Sequence, residues 1–211
     1  VYSDLDFIFL KKLVEKQTGM NFEKYVNQTF YEPLELTTTC YNPLQYFPKD
    51  EIVPTQNDKV FRKQLLQGYV HDPAAAMFGG VAGHAGLFSN AYDLAIIFEM
   101  LLNKGSYKGH QFFKPETVQL FTSYQSLTSR RGLGFDKQRR KPTDPEVMYN
   151  GASTLTFGHT GFTGISVWAD PKYNLLFVFL SNRVCPDQEN DKIIKLSVRS
   201  KMQQAVYEAM K

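Results

Sequence analysis

The stretch TFGHTGFTGISVWADPKYNLLFVFL, residues 156–180, carries the reading of the fold. Residues 156–160 and 164–170 favour β structure, and 175–180 is an almost unbroken apolar run of strand length. Asp170-Pro171-Lys172-Tyr173-Asn174 separates the last two as a tight turn, because proline presets φ while Asp and Asn bond their own backbone. A hairpin follows, with Val167 and Trp168 beside the strand of Phe177 and Phe179. Upstream, residues 133–135 read as a further strand. Downstream, Ile194, Val198, Met202, Ala205, Val206 and Met210 mark one face of a closing helix.

Working back to the start, the periodicity changes to helical. Leu5, Ile8, Phe9, Leu13 and Val14 recur at helical spacing and Gly19 follows as a left-handed terminator, which predicts a first helix over 5–18. Asn21 offers a side-chain oxygen to the orphan amides of a second helix over 22–30, ended by Pro33. Residues 35–70 lose the period and gather prolines at 43, 48 and 54, so they read as an irregular excursion, of the kind that lines a functional surface. Phe78-Gly79-Gly80-Val81-Ala82-Gly83-His84-Ala85-Gly86 holds four glycines and suits a tight turn beside a cleft. Asn90, with Asp93 three residues on, caps a helix that runs through Leu102 to Lys104-Gly105. Pro115 opens a short helix over 116–121. The sum is an α+β domain, an antiparallel sheet flanked by helices, read as one partial domain over 1–211. Its helical region covers about 1–125, and the strands and C-terminal helix cover about 131–211.

Composition narrows the function. In 211 residues, 43% hydrophobic content and 14% aromatics are ample for a packed core and exclude disorder. The net charge of +3 is too mild to mark a nucleic-acid binder. The basic run Arg130, Arg131, Lys137, Arg139, Arg140 and Lys141 reads as a solvated loop rather than a phosphate patch. No segment approaches the ~20 apolar residues that span a bilayer. The chain opens at Val1 without Met, so any targeting segment is expected upstream. Cys40 and Cys185 are expected to be free thiols. His71, His84 and His110 lack ligand spacing, so neither a metal nor another cofactor is expected.

Two short motifs now combine: Tyr2-Ser3-Asp4 before the first helix, and His159-Thr160-Gly161 about 155 residues later. Between and after them come Leu87-Phe88-Ser89, Asp93-Leu94, Arg131-Gly132-Leu133-Gly134-Phe135, Trp168-Ala169-Asp170-Pro171 and Leu180-Ser181-Asn182-Arg183. In this order the motifs resemble the class C β-lactamase family of penicillin-recognising serine hydrolases, with its esterase and peptidase relatives. The resemblance covers nearly the whole chain and implies a β-lactamase/transpeptidase-like fold. It implies Tyr2 as general base or proton relay, with its pKa lowered from ~10 by neighbouring cations. His159-Thr160-Gly161 stands where the family has Lys-Thr-Gly, on a strand bordering the cleft. Thr160 would contact a substrate carboxylate, Gly161 would admit substrate close to the backbone, and the Phe162 amide would be one oxyanion donor. Tyr2 and His159 are then expected to face each other across one crevice, with His84 bordering it.

Two departures have chemical consequences. His159 replaces a lysine that stays cationic, so carboxylate attraction there would become sensitive to pH near ~6.5. Asp4 replaces an asparagine. An ionised carboxylate cannot donate to a substrate carbonyl as an amide does, which shifts expectation from penicillins towards esters and peptides.

No Ser, Thr or Cys is followed three residues later by Lys, so the nucleophilic Ser-x-x-Lys element of the family is absent from these residues. It is expected in a missing N-terminal segment of the same domain, without which the segment exposes an unpaired sheet edge and is inactive. Three functions follow: a serine hydrolase forming an acyl-enzyme on a small ester, amide or D-amino-acid peptide; a non-catalytic binder of cell-wall fragments attached to another enzyme; and a structural module. The family's wall chemistry implies a small or wall-derived substrate and a periplasmic or secreted location.

Overall fold

The computed structural model describes residues 2–210, which form two compact units. One comprises the residues up to Asp93 with Asn182–Glu189, the other Leu94–Ser181 with the residues from Asn190 on.

In the first unit, α1 (Asp4–Thr18) starts where Ser3 accepts the Leu5 amide at 3.3 Å and ends at Gly19, whose φ of 67° is left-handed. The glycine was legible as a terminator, whereas the Ser3 cap was not read from the sequence, although a hydroxyl before an acidic first turn is a usual helix start. α2 (Phe22–Val26) is capped by Asn21 as expected, but the turn Asn27–Tyr31 is π-helical, so the second helix is shorter than its apolar spacing predicts. β1 (Cys40–Tyr41) comes next. The segment read as irregular holds a hairpin, β2 (Pro54–Asp58) against β3 (Gln64–Gln67). Their PTQND and QLLQ sequences carry no apolar alternation, which is why pattern reading passes over them. The Asp58 carboxylate ties the turn, accepting from the amides of Val60, Phe61 and Arg62 and from Arg62 Nε at 2.9 Å. Burial opposes its ionisation, yet these donors hold it well below the usual carboxylate range.

α3 (Pro73–Met77) is followed by the Gly-rich loop and β4 (Leu87–Phe88), which pairs with β1. α4 (Ala91–Leu102) opens with the Asp93 amide on Asn90 Oδ1 at 2.8 Å, as its sequence predicts. Asp93 is fully buried and accepts from the Thr38 amide and from the Thr38 and Thr39 hydroxyls, which anchors the chain leading into β1. Cys40 and Cys185 are free thiols.

The second unit contains the small hairpin of β5 (Ser106–Tyr107) and β6 (His110–Gln111), then α5 (Pro115–Thr122). Its centre is an antiparallel sheet of β7 (Asp136–Lys137), β8 (Phe157–Thr160), β9 (Ser166–Asp170) and β10 (Leu175–Phe179), in the order β10-β9-β8-β7. The predicted hairpin is present, with Trp168 opposite Phe177 and Val167 opposite Val178. The strand expected over 133–135 lies just after it, because Gly134 takes a φ of 78° that breaks extended pairing. Trp168 and Phe177 pack with Met148, Ala152 and Tyr207 as the core of this unit. A Cβ on Gly158 would lie 2.0 Å from the Val167 carbonyl, so only glycine lets β8 approach the Trp168 strand this closely. The closing helix is split into α6 (Lys192–Lys195) and α7 (Val198–Ala209), because Ser197 is left-handed at φ 50°.

The basic run divides: Arg139, Arg140 and Lys141 are exposed, as a solvated loop requires, whereas the expectation fails at Arg130 and Lys137. Lys137 is 2% exposed, and Arg130 forms a two-bond fork to Asp136, so these side chains build structure instead of facing water. Lys137 Nζ donates to the Thr156 carbonyl at 3.0 Å and lies 4.9 Å from the Tyr124 ring centre. Burial pushes its pKa down to about 8, against the opposing pull of Asp170. A lysine depressed in the folded state binds fewer protons there than when unfolded, so it penalises folding below pH 8 and releases that penalty as pH rises to about 10.5. Lys137→Met is therefore expected to unfold with a different pH slope. The difference in unfolding free energy between variant and parent should shift by about 3 kcal/mol between pH 7 and pH 10 in urea titrations, in the parent's favour. A difference constant across that range contradicts the burial argument.

Candidate active site

Tyr2, Asp4 and His84 belong to the first unit; His159, Thr160, Gly161 and Phe162 belong to the second. In the first, Tyr2 sits just ahead of the Ser3 cap, 40% exposed, with its ring 5.5 Å from that of Phe7. Asp4 lies in the first helical turn. The Gly-rich loop passes against the same helix. A Cβ on Gly83 would fall 2.2 Å from the Phe7 carbonyl oxygen, so glycine is what allows this approach.

The next residue, His84, is thereby delivered beside Asp4. Its side chain is 2% exposed and its Nε2 lies 2.9 Å from Asp72 Oδ1. Asp72 also caps α3 through the Ala75 amide at 2.7 Å. Burial opposes Asp72 ionisation, but the Ala75 amide and His84 outweigh it and hold the carboxyl below its ordinary range. Ligand atoms of Asp4, Asp72 and His84 all lie within 4.8 Å of one another, close enough to share a cation. His84 Nδ1 has no hydrogen-bond partner among the described residues. Sequence reasoning placed His84 near the cleft but missed Asp72, since the three residues come from separate segments and have no ligand spacing.

In the second unit, β7 pairs only with Phe157 and Gly158, so among the described residues His159 and Thr160 form an open sheet edge on that side. Their other side pairs with Val167 and Ser166. The turn beyond is closed by the Gly161 amide on the Ile165 carbonyl at 2.8 Å, and Arg199 Nη1 reaches the carbonyls of Gly161 at 3.3 Å and Ile165 at 3.1 Å. A Cβ on Gly161 would meet Ile165 Cγ1 at 2.5 Å, so a side chain here would have to displace that of Ile165 across the turn. Phe162 projects from that turn, 64% exposed.

The His159 ring is fixed at both nitrogens. Nδ1 lies 2.7 Å from the Thr160 carbonyl, which can only accept, and Nε2 lies 3.0 Å from Arg131 Nη1, which can only donate. The ring is therefore the neutral Nδ1–H tautomer. Burial lowers its pKa, the Thr160 carbonyl opposes this, and Arg131 lowers it further, so the net shift is downward. The pH sensitivity expected near 6.5 moves to more acid values. Arg131 stands both in the basic run and in Arg131-Gly132-Leu133-Gly134-Phe135, yet spacing alone gives no sign that it meets His159.

The capped helix behind Tyr-Ser-Asp and the antiparallel sheet ending in His-Thr-Gly define a β-lactamase/transpeptidase-like fold. The Beta-lactamase family profile matches residues 1–198, and the chain belongs to that family of serine hydrolases. A Bacillus subtilis (strain 168) protein named N-acetylmuramyl-L-alanine amidase is 39% identical over 212 residues, covering 92% of this chain and 48% of its own length. An Escherichia coli (strain K12) protein provisionally named a D-alanyl-D-alanine carboxypeptidase is 38% identical over 195 residues, covering 87% and 45%. The chain thus spans about half the length of these curated relatives. A crystallised β-lactamase from Mycobacterium bovis matches 99% of this chain and 64% of its own with a TM-score of 0.68 at 24% identity, and so shows the fold. A penicillin-binding protein homologue from Caulobacter crescentus matches 82% and 49% with a TM-score of 0.55 at 19% identity.

Proposed function

We propose that this chain supplies the base and the substrate-binding edge of a serine hydrolase that cleaves amide bonds of wall-derived peptides through an acyl-enzyme, at a periplasmic or secreted location. The observation that carries the reading is the open edge at His159 and Thr160, beyond the reach of β7 and braced at its turn by Arg199. An extended peptide can align along such an edge by main-chain hydrogen bonds. The names of the amidase and carboxypeptidase relatives supply the bond type.

In this reading Tyr2 takes the proton of a serine in a Ser-x-x-Lys element, which the 211 residues do not contain, and returns it to the leaving amine. The Phe162 amide helps to stabilise the oxyanion, and Thr160 receives the peptide carboxylate. Asp4, with His84 and Asp72 behind it, favours a donor group on the acyl side where an asparagine would favour a carbonyl. The 211 residues alone, without that serine, are expected to be inactive.

Fluorophosphonate treatment of the full-length protein that includes this chain tests the reading. One covalent adduct is expected, on a serine followed three residues later by lysine. A full-length protein that takes no label while still binding wall peptides is a recognition domain instead.

A further inference from the structure

The first unit holds a cluster of unbalanced charge. Asp4 comes from the first turn of α1, Asp72 from the cap of α3 and His84 from the Gly-rich loop, and their ligand atoms lie within 4.8 Å of one another. Among the described residues no lysine or arginine pairs with either carboxylate; Lys11 and Lys12 of α1 pair with Glu15. The imidazole is buried, its side chain 2% exposed, and Asp72, which can only accept, takes the Nε2 proton at 2.9 Å. Nδ1 of the neutral ring then keeps a lone pair that meets no donor among the described residues. A buried acceptor without a partner is costly, and two carboxylates this close repel each other. Asp4 creates the second charge: it stands where the family pattern has asparagine, and an amide there brings none.

We infer that Asp4, Asp72 and His84 bind a divalent transition-metal cation of the zinc type. Two carboxylate oxygens and one imidazole nitrogen suit zinc, whereas magnesium and calcium favour oxygen alone. A neutral ring can carry its proton on either nitrogen, so either can become the ligand atom. In a tetrahedral site with bonds of about 2.1 Å, ligand atoms stand about 3.4 Å apart. Asp72 and His84 are already at 2.9 Å, so the closing movement falls to Asp4, an exposed side chain free to make it. Three protein ligands leave one coordination position for water or a substrate oxygen. Ligand-spacing rules pass over this site because its residues come from three separate segments. The site rests on the cluster alone, so the hydrolase reading stands or falls separately.

The test titrates zinc, and separately magnesium, into the chelator-treated full-length protein that includes this chain, read by calorimetry and by the rise in melting temperature. Zinc should bind the parent and raise its melting temperature, with magnesium at least about 10-fold weaker. Asp4→Asn should weaken zinc binding by at least about 10-fold, the smallest loss usual when even an outer partner of a metal site is removed. His84→Gln should weaken it likewise and erase the preference for zinc over magnesium. Asp6→Asn, an exposed carboxylate of the same helical turn outside the cluster, should bind zinc as the parent does. The Asp4 substitution is on the surface, so it decides the matter even where the buried histidine variant fails to fold. A parent that binds no zinc, or binds magnesium as tightly, overturns the proposal. So does zinc binding that Asp4→Asn leaves unchanged, or that Asp6→Asn weakens as much.

Discussion

Replacing Asp170 by alanine is expected to lower the unfolding free energy by about 3–5 kcal/mol, the largest stability effect anticipated for a single side chain of this protein. Asp170 is 1% exposed at the end of β9 and accepts from four donors: the Ser153 amide at 2.9 Å, the Ser153 hydroxyl at 2.5 Å, the Lys172 amide at 3.0 Å and the Tyr207 hydroxyl at 2.6 Å. Alanine strands these donors in a place with little water, and each unsatisfied group carries its own desolvation cost. The damage spreads because the donors come from three places: the loop before β8, the β9–β10 turn and α7. Asparagine keeps the shape and some acceptor capacity, so it should cost less.

The pH dependence follows from the same contacts. Burial opposes ionisation of Asp170, but the hydrogen bonds from Ser153 and Tyr207 prevail and hold its pKa below the ordinary value. A carboxyl depressed in the folded state contributes stability above its unfolded pKa and loses it as pH falls through the folded one. Chemical denaturation should therefore show parent and alanine variant furthest apart near neutrality and converging only below the usual carboxylate range. A gap of under 1 kcal/mol at pH 7 would sink the claim that this carboxylate joins sheet and helix.

That hub also shows how far sequence reasoning reaches. Asp170-Pro171-Lys172-Tyr173-Asn174 announced the turn and the hairpin because turn chemistry is local, and Gly19, Asn21 and Asn90 announced helix ends for the same reason. That Asp170 also serves Ser153 and Tyr207 was hidden, since those partners lie 17 and 37 residues away with nothing periodic between them. The site divides in the same way. Tyr2, Asp4 and His159-Thr160-Gly161 were legible as contiguous motifs. Asp72 beside His84 and Arg131 on His159 were not, because each contact depends on how separate segments pack, and the Arg131 contact helps move the titration of His159 to more acid values. The π-turn after α2 and the left-handed Ser197 were missed because apolar spacing continued through both.

Tyr2→Phe is expected to reduce kcat of the full-length enzyme by about 100- to 10,000-fold, the range in which a positioned acid–base group contributes. The substitution deletes one oxygen and leaves the ring that packs 5.5 Å from Phe7, so folding stability should change by no more than about 0.5 kcal/mol. KM for the peptide should move little, because the phenol is assigned to proton transfer and the carboxylate to the open edge. Asp4→Asn, two residues on, separates motif geometry from proton transfer. It restores an amide donor without touching the phenol, so it should alter the preferred acyl group while retaining the parent's pH profile. A Tyr2→Phe enzyme that keeps the parent's turnover excludes the phenol as base. Loss of stability in parallel with loss of rate would assign Tyr2 to the start of α1 rather than to the chemistry.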